Sequence, residues 1–367
     1  DPAPLLIGKC FGKGVIPVEH GKKKVFVALT GGTIASAFKG QSAWPDEATV
    51  DQLKNAVRVF FGERGVEATL FEPWGRPGYD SSDLDPGNWV QLTDAIATAF
   101  RDGCRGALIL HGTDTMAYTA AWLSLNFVGS PLPVILTGSQ FTRDFSPEDG
   151  SVNLRGAAQV VASGFPGVWI YFNWKLIPGA RAHKARAIHP DAYVAENGFP
   201  VYFNPAWGRG VGETVERLGL DFNWSPSEEC RAVLGKGPSA AREAAKRIRW
   251  IYCTPGTEPT FTGKEKYLGV IGYGSGNASH AALESIRKAF TGTEKPEILA
   301  CSQAEGDVKN PKAYHGVGIG MLAEAGFNVW NQMDFPIEFI HALACFAEVV
   351  LPEDPGRILG THLKRIR

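Results

Sequence analysis

Short apolar runs rich in β-branched and aromatic residues alternate with segments of helical period along most of this chain, and that alternation narrows the possible folds more than any other feature. The runs "KVFVALT" (24–30), "EATLFE" (67–72), "GALIL" (106–110), "LPVILT" (132–137) and "GVWIYF" (167–172) have strand character, while helical spacing recurs near 49–62, 87–101, 115–127 and 151–163. Apolar strands in βαβαβαβ order require a parallel sheet covered by helices on both faces. After "NGFPVYF" (197–203) a stretch rich in Gly, Ser, Glu and Arg interrupts the pattern at about 207–245. The alternation then resumes with "RWIYCT" (249–254), "YLGVIGYG" (267–274), a helix near 278–290, "EILACS" (297–302), a helix near 313–325 and "PIEFIHALACFAEVV" (336–350). The expectation is an α/β protein of two domains with parallel sheets flanked by helices. A larger Rossmann-like N-terminal domain would cover 1–206, a linker or irregular segment 207–245, and a smaller flavodoxin-like C-terminal domain 246–367. At 367 residues, 44% of them hydrophobic, the chain is long enough for two cores.

Charge and cysteine usage exclude several classes of partner. The 37 basic and 38 acidic residues nearly cancel, and no long block of one sign occurs, which argues against nucleic acid or an anionic membrane surface as the main partner. The densest basic run, Lys22-Lys23-Lys24, reads as a solvated strand entrance. No apolar run approaches the roughly 20 residues that span a bilayer. Because the chain begins with Asp1 and not Met, a leader or tag can already be gone. Cys10, Cys104, Cys230, Cys253, Cys301 and Cys345 are scattered and form no CxxC pair, so reduced, mostly buried thiols are expected in place of a zinc site or a disulfide framework.

In an open parallel sheet ligands bind beyond the carboxyl ends of the strands, so the polar residues there carry the functional reading. In "LTGGTIAS" (29–36), Gly31 and Gly32 permit a tight turn that bares backbone N–H groups to an anion or a developing oxyanion; equally, Thr33 could simply cap a strand–helix turn. The stretch matches neither GxGxxG nor Walker A, so no nucleotide is implied. In "YDSSDLDPGNW" (79–89), Ser81, Ser82 and Asp83 precede the helix start Asp85-Pro86, and capping explains them without chemistry. In "HGTDT" (111–115) an N-cap accounts for one of Thr113, Asp114 and Thr115 but hardly for all three, and a hydroxyl beside a carboxylate at a strand end suits nucleophile or water-positioning work with an ammonium anchor. In "PGARAHKARAIHP" (178–190) an extended chain puts Arg181, His183 and Ala185 on one face and Ala182, Lys184 and Arg186 on the other. Lys184 is then either an inward base or part of a basic surface hairpin.

Taken together, "TGGTIAS", "SSD", "HGTDTMAYTA", "VILTGSQ…DGSVNL" and "RAHKAR" occur in the order and at about the separations of the bacterial-type L-asparaginase family, and the chain resembles its type I, usually cytoplasmic, branch. "GYGSGNA" (272–278), "SQAEGD" (302–307) and "MDFPIEFIHAL" (333–343) extend the resemblance into the second domain. It implies hydrolysis of an asparagine side-chain amide to aspartate and ammonia, without metal or organic cofactor, by a homodimer or homotetramer. Thr33 would be the nucleophile that forms an acyl-enzyme, with Gly32 beside it at the substrate. Thr113 and Lys184 would form a second hydroxyl–base unit. Asp114 would grip the substrate ammonium, Ser81 its carboxylate with Ser82 adjacent, while Asn277 and Glu305 match residues that act across a subunit contact. One departure stands out: the tyrosine usual on the loop after the nucleophile is absent from "IASAFKGQSAWPDEATV" (34–50), where Phe38 and Trp44 carry no hydroxyl. Another group, such as Asp46, Glu47 or a second-domain residue, would then assist Thr33. A substituted or peptide-linked amide is an alternative substrate, glutamine is disfavoured only mildly, and an ammonia-delivering amidotransferase subunit or an amino-acid-binding protein with weakened catalysis are rival readings.

Overall fold

The strands fall into two main sheets because most of the apolar runs are short and are followed by a helix that covers them. The computed structural model describes residues 23–40, 42–203, 224–256, 258–292, 294–307 and 318–366. Its strands are β1 (Lys23–Leu29), β2 (Ser36–Lys39), β3 (Ser42–Pro45), β4 (Val66–Phe71), β5 (Cys104–Leu110), β6 (Pro133–Thr137), β7 (Gly167–Phe172), β8 (Lys175–Pro178), β9 (Ala182–Lys184), β10 (Tyr193–Ala195) and β11 (Val201–Tyr202) in the first domain. The second domain holds β12 (Ile248–Tyr252), β13 (Tyr267–Gly272), β14 (Glu297–Ser302), β15 (Val329–Asn331) and β16 (Lys364–Ile366). The helices are α1 (Glu47–Gly62), α2 (Pro86–Arg101), α3 (Met116–Asn126), α4 (Gly150–Ser163), α5 (Glu228–Lys246), α6 (His280–Ala289), α7 (Gly320–Glu324), α8 (Ile337–Val350) and α9 (Pro355–Leu359).

The larger sheet runs β11-β8-β7-β6-β5-β1-β4, and its five strands from β4 to β7 are parallel, as apolar strands joined by helices demand. β8 and β11 extend it antiparallel. The turn between β7 and β8 is made by Asn173 and Trp174, both at positive φ (47° and 64°), the geometry of a two-residue hairpin without the usual glycine. The smaller sheet runs β12-β13-β14-β15-β16, parallel except for the edge strand β16. Both sheets are α/β layers of the expected class.

Helix entry follows from local chemistry. Asp46 caps α1 by accepting from the Thr49 N–H at 2.8 Å, and Asp85 with Asn88 closes a capping box at the start of α2, where Pro86 sits in the first turn. α3 is buried nearly all round, because it lies between the first sheet and α8 of the second domain. Trp122 of α3 meets Trp89 of α2 at 5.7 Å and the Phe346 ring of α8 edge-on at 5.8 Å, so one apolar core runs across the domain boundary. The stretch expected to be irregular, 207–245, is corrected in its later half: α5 occupies Glu228–Lys246 and packs against α2 and α8. Gly237 at φ 73°, followed by Pro238, breaks that helix and hides its period in the sequence. Residues 204–223 lie outside the described residues, as do Cys10, Lys22 and the first part of the helix expected near 313–325; the other five cysteines are buried.

Because both domains share the core around it, truncating Trp122 should weaken them together. Trp122→Ala is expected to cost about 3–5 kcal/mol and to lower a single calorimetric transition. Two separated transitions, with only the first displaced, would contradict a shared core.

Candidate active site

Glycines set the position of everything at the carboxyl rim of the larger sheet. A Cβ on Gly32 would stand 2.2 Å from the Gly112 Cα, and one on Gly112 would stand 2.6 Å from the Ser81 Oγ. Only glycine fits at either point, and Gly32 also holds a φ of 85° that other residues avoid. Gly31, at φ 111°, forms a bridge with Tyr79. The turn after β1, the short 3₁₀ turn Ser81–Asp83 and the turn after β5 are thereby pressed together, and Thr33 and Thr113 each follow one of the touching glycines.

Around Thr113 the structure joins residues far apart in the chain. The Lys184 Nζ donates to the Thr113 Oγ1 at 2.9 Å and to the Asp114 Oδ1 at 2.7 Å. Lys184 is therefore the inward residue of its strand and not part of a surface hairpin, while the Asp114 side chain stays 63% exposed beside it. Two residues that sequence reasoning did not single out complete the cluster. The Thr113 hydroxyl donates to the Gln140 Oε1 at 3.0 Å, and the Gln140 Nε2 donates to the carbonyls of Ala187 at 3.0 Å and His189 at 3.3 Å. The buried Tyr193 hydroxyl donates to the Thr113 carbonyl, and Tyr193 lies opposite Lys184 in the β9–β10 pair. Gln140 stands in the "TGSQ" end of β6 and so had the right address; nothing in its neighbourhood marked Tyr193. Asp149 fixes Gln140 by accepting its backbone N–H at 3.0 Å.

Most hydroxyls along this rim have committed their hydrogens. Thr30 donates to Leu110 O at 2.9 Å, Thr115 to Ser81 O at 2.6 Å and Thr137 to Tyr171 O at 2.8 Å, each tying one segment of the rim to another. No hydrogen bond engages the Thr33 or Ser81 hydroxyl among the described residues. The two serines of "SSD" separate clearly: Ser81 is buried against Gly112, whereas Ser82 is exposed and donates to the Asp80 Oδ1 at 2.8 Å. Asp46, considered as an aid to Thr33, accepts instead from both the N–H and the hydroxyl of Thr49, and Glu47 is an exposed residue of the first turn of α1. The hairpin β2–β3 rises beside Thr33 with Phe38 and Trp44 exposed, and its Phe38 N–H is tied to the Asp144 carboxylate at 2.8 Å. His111 is wholly buried between Gly112 O at 2.7 Å and Thr119 Oγ1 at 2.9 Å; burial lowers its pKa to about 4, which keeps it neutral and structural.

The second-domain candidates lie elsewhere. Asn277 sits in the turn after β13, where its carbonyl accepts from the Tyr273 N–H at 2.6 Å and its side chain packs on Gly318; among the described residues no hydrogen bond joins it to the first-domain cluster. Glu305 does reach the first domain, with its Oε1 3.4 Å from the His183 Nε2. The other ring nitrogen of His183 meets the buried Glu338 Oε1 at 2.9 Å. The hydrogen bond to Glu338 raises the His183 pKa to about 9, with the Glu196 and Glu305 charges adding to the effect. Among the described residues no group of three or more His, Cys, Asp or Glu side chains is placed to hold a metal ion, and no helix is long and apolar enough to cross a membrane.

Residues 24–204 match the family model described as asparaginase, N-terminal. The L-asparaginase of Thermococcus kodakarensis is 29% identical over 293 residues, covering 78% of this chain and 82% of that protein. L-asparaginase 1 of Escherichia coli K12 is 36% identical over 178 residues, which are 48% of this chain and 52% of the bacterial protein, so that match spans about half its length. A component of the glutamyl-tRNA(Gln) amidotransferase of Methanosarcina acetivorans is 27% identical over 310 residues, 79% of this chain and 67% of its own. The solved structure of the thermostable L-asparaginase from T. kodakarensis superposes with a TM-score of 0.69 at 26% identity, covering 92% of this chain and 96% of that one.

Since the pKa of His183 stands above its ordinary 6.5 in the folded state, its pairing stabilises the fold fully below about pH 6.5 and is lost as pH rises through about 9. Wild-type protein should therefore lose about 2 kcal/mol relative to His183→Gln between pH 6 and pH 10, in denaturant titrations at both ends. Parallel pH profiles for the two proteins would show that the pairing does not form.

Proposed function

The chain belongs to the asparaginase family, whose model and relatives mark it as an amidohydrolase, and on that premise we propose that it hydrolyses the side-chain amide of L-asparagine, or of a closely related amide, through a threonine acyl-enzyme. The observation that carries this reading is the Lys184–Thr113 hydrogen bond at 2.9 Å, with Asp114 beside it, built at the rim where Thr33 stands uncommitted.

In the proposed sequence the Thr33 hydroxyl attacks the amide carbon as its proton passes to the Thr113–Lys184 pair, and the pair hands a proton to the departing nitrogen as the carbon–nitrogen bond breaks and ammonia leaves. Water then attacks the ester, its proton passing through the same pair to the Thr33 oxygen as the ester bond breaks, which releases aspartate and restores the Thr33 hydroxyl. For Lys184 to accept a proton from Thr113, the hydrogen bond must reverse, because Nζ now donates to Oγ1 while the Thr113 hydrogen is held by Gln140. Gln140 thus opposes the base in the resting site, and turning Thr113 away from it is part of activation. The Asp114 Oδ2, which makes no hydrogen bond among the described residues, suits the substrate ammonium, and Ser81 is the serine placed to meet its carboxylate. Without a loop tyrosine, Thr33 has no partner from the hairpin. A substituted or peptide-linked asparagine that brings its own polar group remains the alternative substrate. The likeness to an amidotransferase component favours a second reading, in which the ammonia is passed to a partner.

An ammonia-release assay over Asn, Gln, isoasparagine and short Asn peptides separates these readings, with turnover of free Asn by the isolated chain expected. Saturable binding of Asn with no ammonia from any amide would overturn the hydrolase. Thr33→Ala should abolish turnover, and Thr113→Val should lower kcat by about 10²–10⁴-fold with folding intact by circular dichroism. Near-normal kcat in either variant would remove that residue from the mechanism.

A further inference from the structure

β9 is only three residues long and pairs with β10 alone, outside the seven-stranded sheet. Such a two-stranded ribbon is marginal by itself. Yet it must hold the Lys184 Nζ within hydrogen-bond reach of two groups. Alternation along the strand gives the explanation: Lys184 faces Thr113 and Asp114, and its neighbour His183 faces away, into the second domain. There the approach to α8 grips the ribbon at several points. The Arg181 Nη2 pairs with the Asp334 Oδ2 at 2.8 Å, and its guanidinium lies 4.3 Å over the Phe335 ring. The Asn197 Nδ2 donates to the Asp334 carbonyl at 3.1 Å. His183 meets Glu338 at 2.9 Å, nearest of all to the lysine.

Glu338 is the unusual member. It is 6% exposed, its Oε1 is held by His183, and its Oε2 is shut off from solvent with no hydrogen-bond partner among the described residues. A buried carboxylate left half satisfied is poor material for stability, and one that persists calls for another reason. Its single hydrogen-bond partner among the described residues is the residue next to Lys184. We propose that the His183–Glu338 pair is the positioning device through which the second domain sets the reach of Lys184 to Thr113, so that the second domain takes part in the acid–base step without touching substrate. The inference rests on the hydrolase reading for its kinetic consequence but on the geometry alone for the clamp itself. A displacement of about 1 Å at the lysine suffices to lower turnover by roughly 10²-fold.

The test uses the full chain with Glu338→Gln, which keeps the size of the side chain and removes its charge, His183→Gln, the double variant, and Glu348→Gln as a comparison. Glu348 is an equally buried second-domain acid, paired with Lys266 at 2.8 Å and remote from the ribbon. Hydrogen exchange across 182–195 should quicken about 10-fold or more in Glu338→Gln and stay as in wild type in Glu348→Gln. With a hydrolysed amide as substrate, Glu338→Gln should lose about 10–100-fold in kcat with KM within threefold, and the double variant should be no worse than the poorer single one. Glu348→Gln should lower the melting temperature and leave kcat unchanged. Unaltered exchange in the ribbon, kcat retained in folded Glu338→Gln, or additive losses in the double variant would each overturn the clamp. If the wild type hydrolyses no amide, the family reading of the chemistry fails while the exchange experiment still decides the clamp.

Discussion

The contact between Gly32 and Gly112 governs the rest of the site. Two backbones from separate strand ends meet with no room for a Cβ on either, and Ser81 closes against the same point. This is a constraint on approach and not an attractive interaction: the parallel strands β1 and β5 are adjacent in the sheet, and their carboxyl ends can converge only where side chains are missing. Thr33 and Thr113 are placed by that convergence and need no loop of their own to bring them together. A rim built on rigid strands holds reacting groups more closely than one built on long loops.

Residues whose role depends on their own few neighbours were legible in the sequence. Strand, glycine pair and hydroxyl are contiguous at Thr33, and strand, glycine and hydroxyl again at Thr113, so the alternation of apolar and polar residues marked both strand ends, and Asp85-Pro86 marked the start of α2. Lys184 was ambiguous because its direction depends on the register of a three-residue strand, where a slip of one position would exchange it with His183. The resemblance singled out Ser81 over Ser82, but spacing alone could not, since a single 3₁₀ turn decides which faces inward. Gln140 and Tyr193 were invisible as partners of Thr113, because their hydrogen bonds close loops of 27 and 80 residues that no local pattern reports. α5 was masked by a Gly-Pro break that suppresses helical period without preventing the helix.

The two domains are joined by two kinds of contact with different consequences. The apolar core around Trp122, Trp89 and Phe346 is non-directional and tolerates small displacements. The polar seam of Arg181, Asp334, His183 and Glu338 is directional and does not. The first supplies cohesion and the second supplies registration, which is why a buried charge pair at this boundary makes physical sense.

The unequal commitment of the rim hydroxyls has a consequence for recognition. Thr30, Thr115, Thr137 and Tyr193 each hold two segments of chain together, so none can turn toward a ligand without loosening a strand end. The Thr33 and Ser81 hydroxyls hold nothing among the described residues. Under the proposed function, a substrate would therefore be met by rotation about single Cα–Cβ bonds, with the surrounding dipoles already in place and no reorganisation of the scaffold as charge develops.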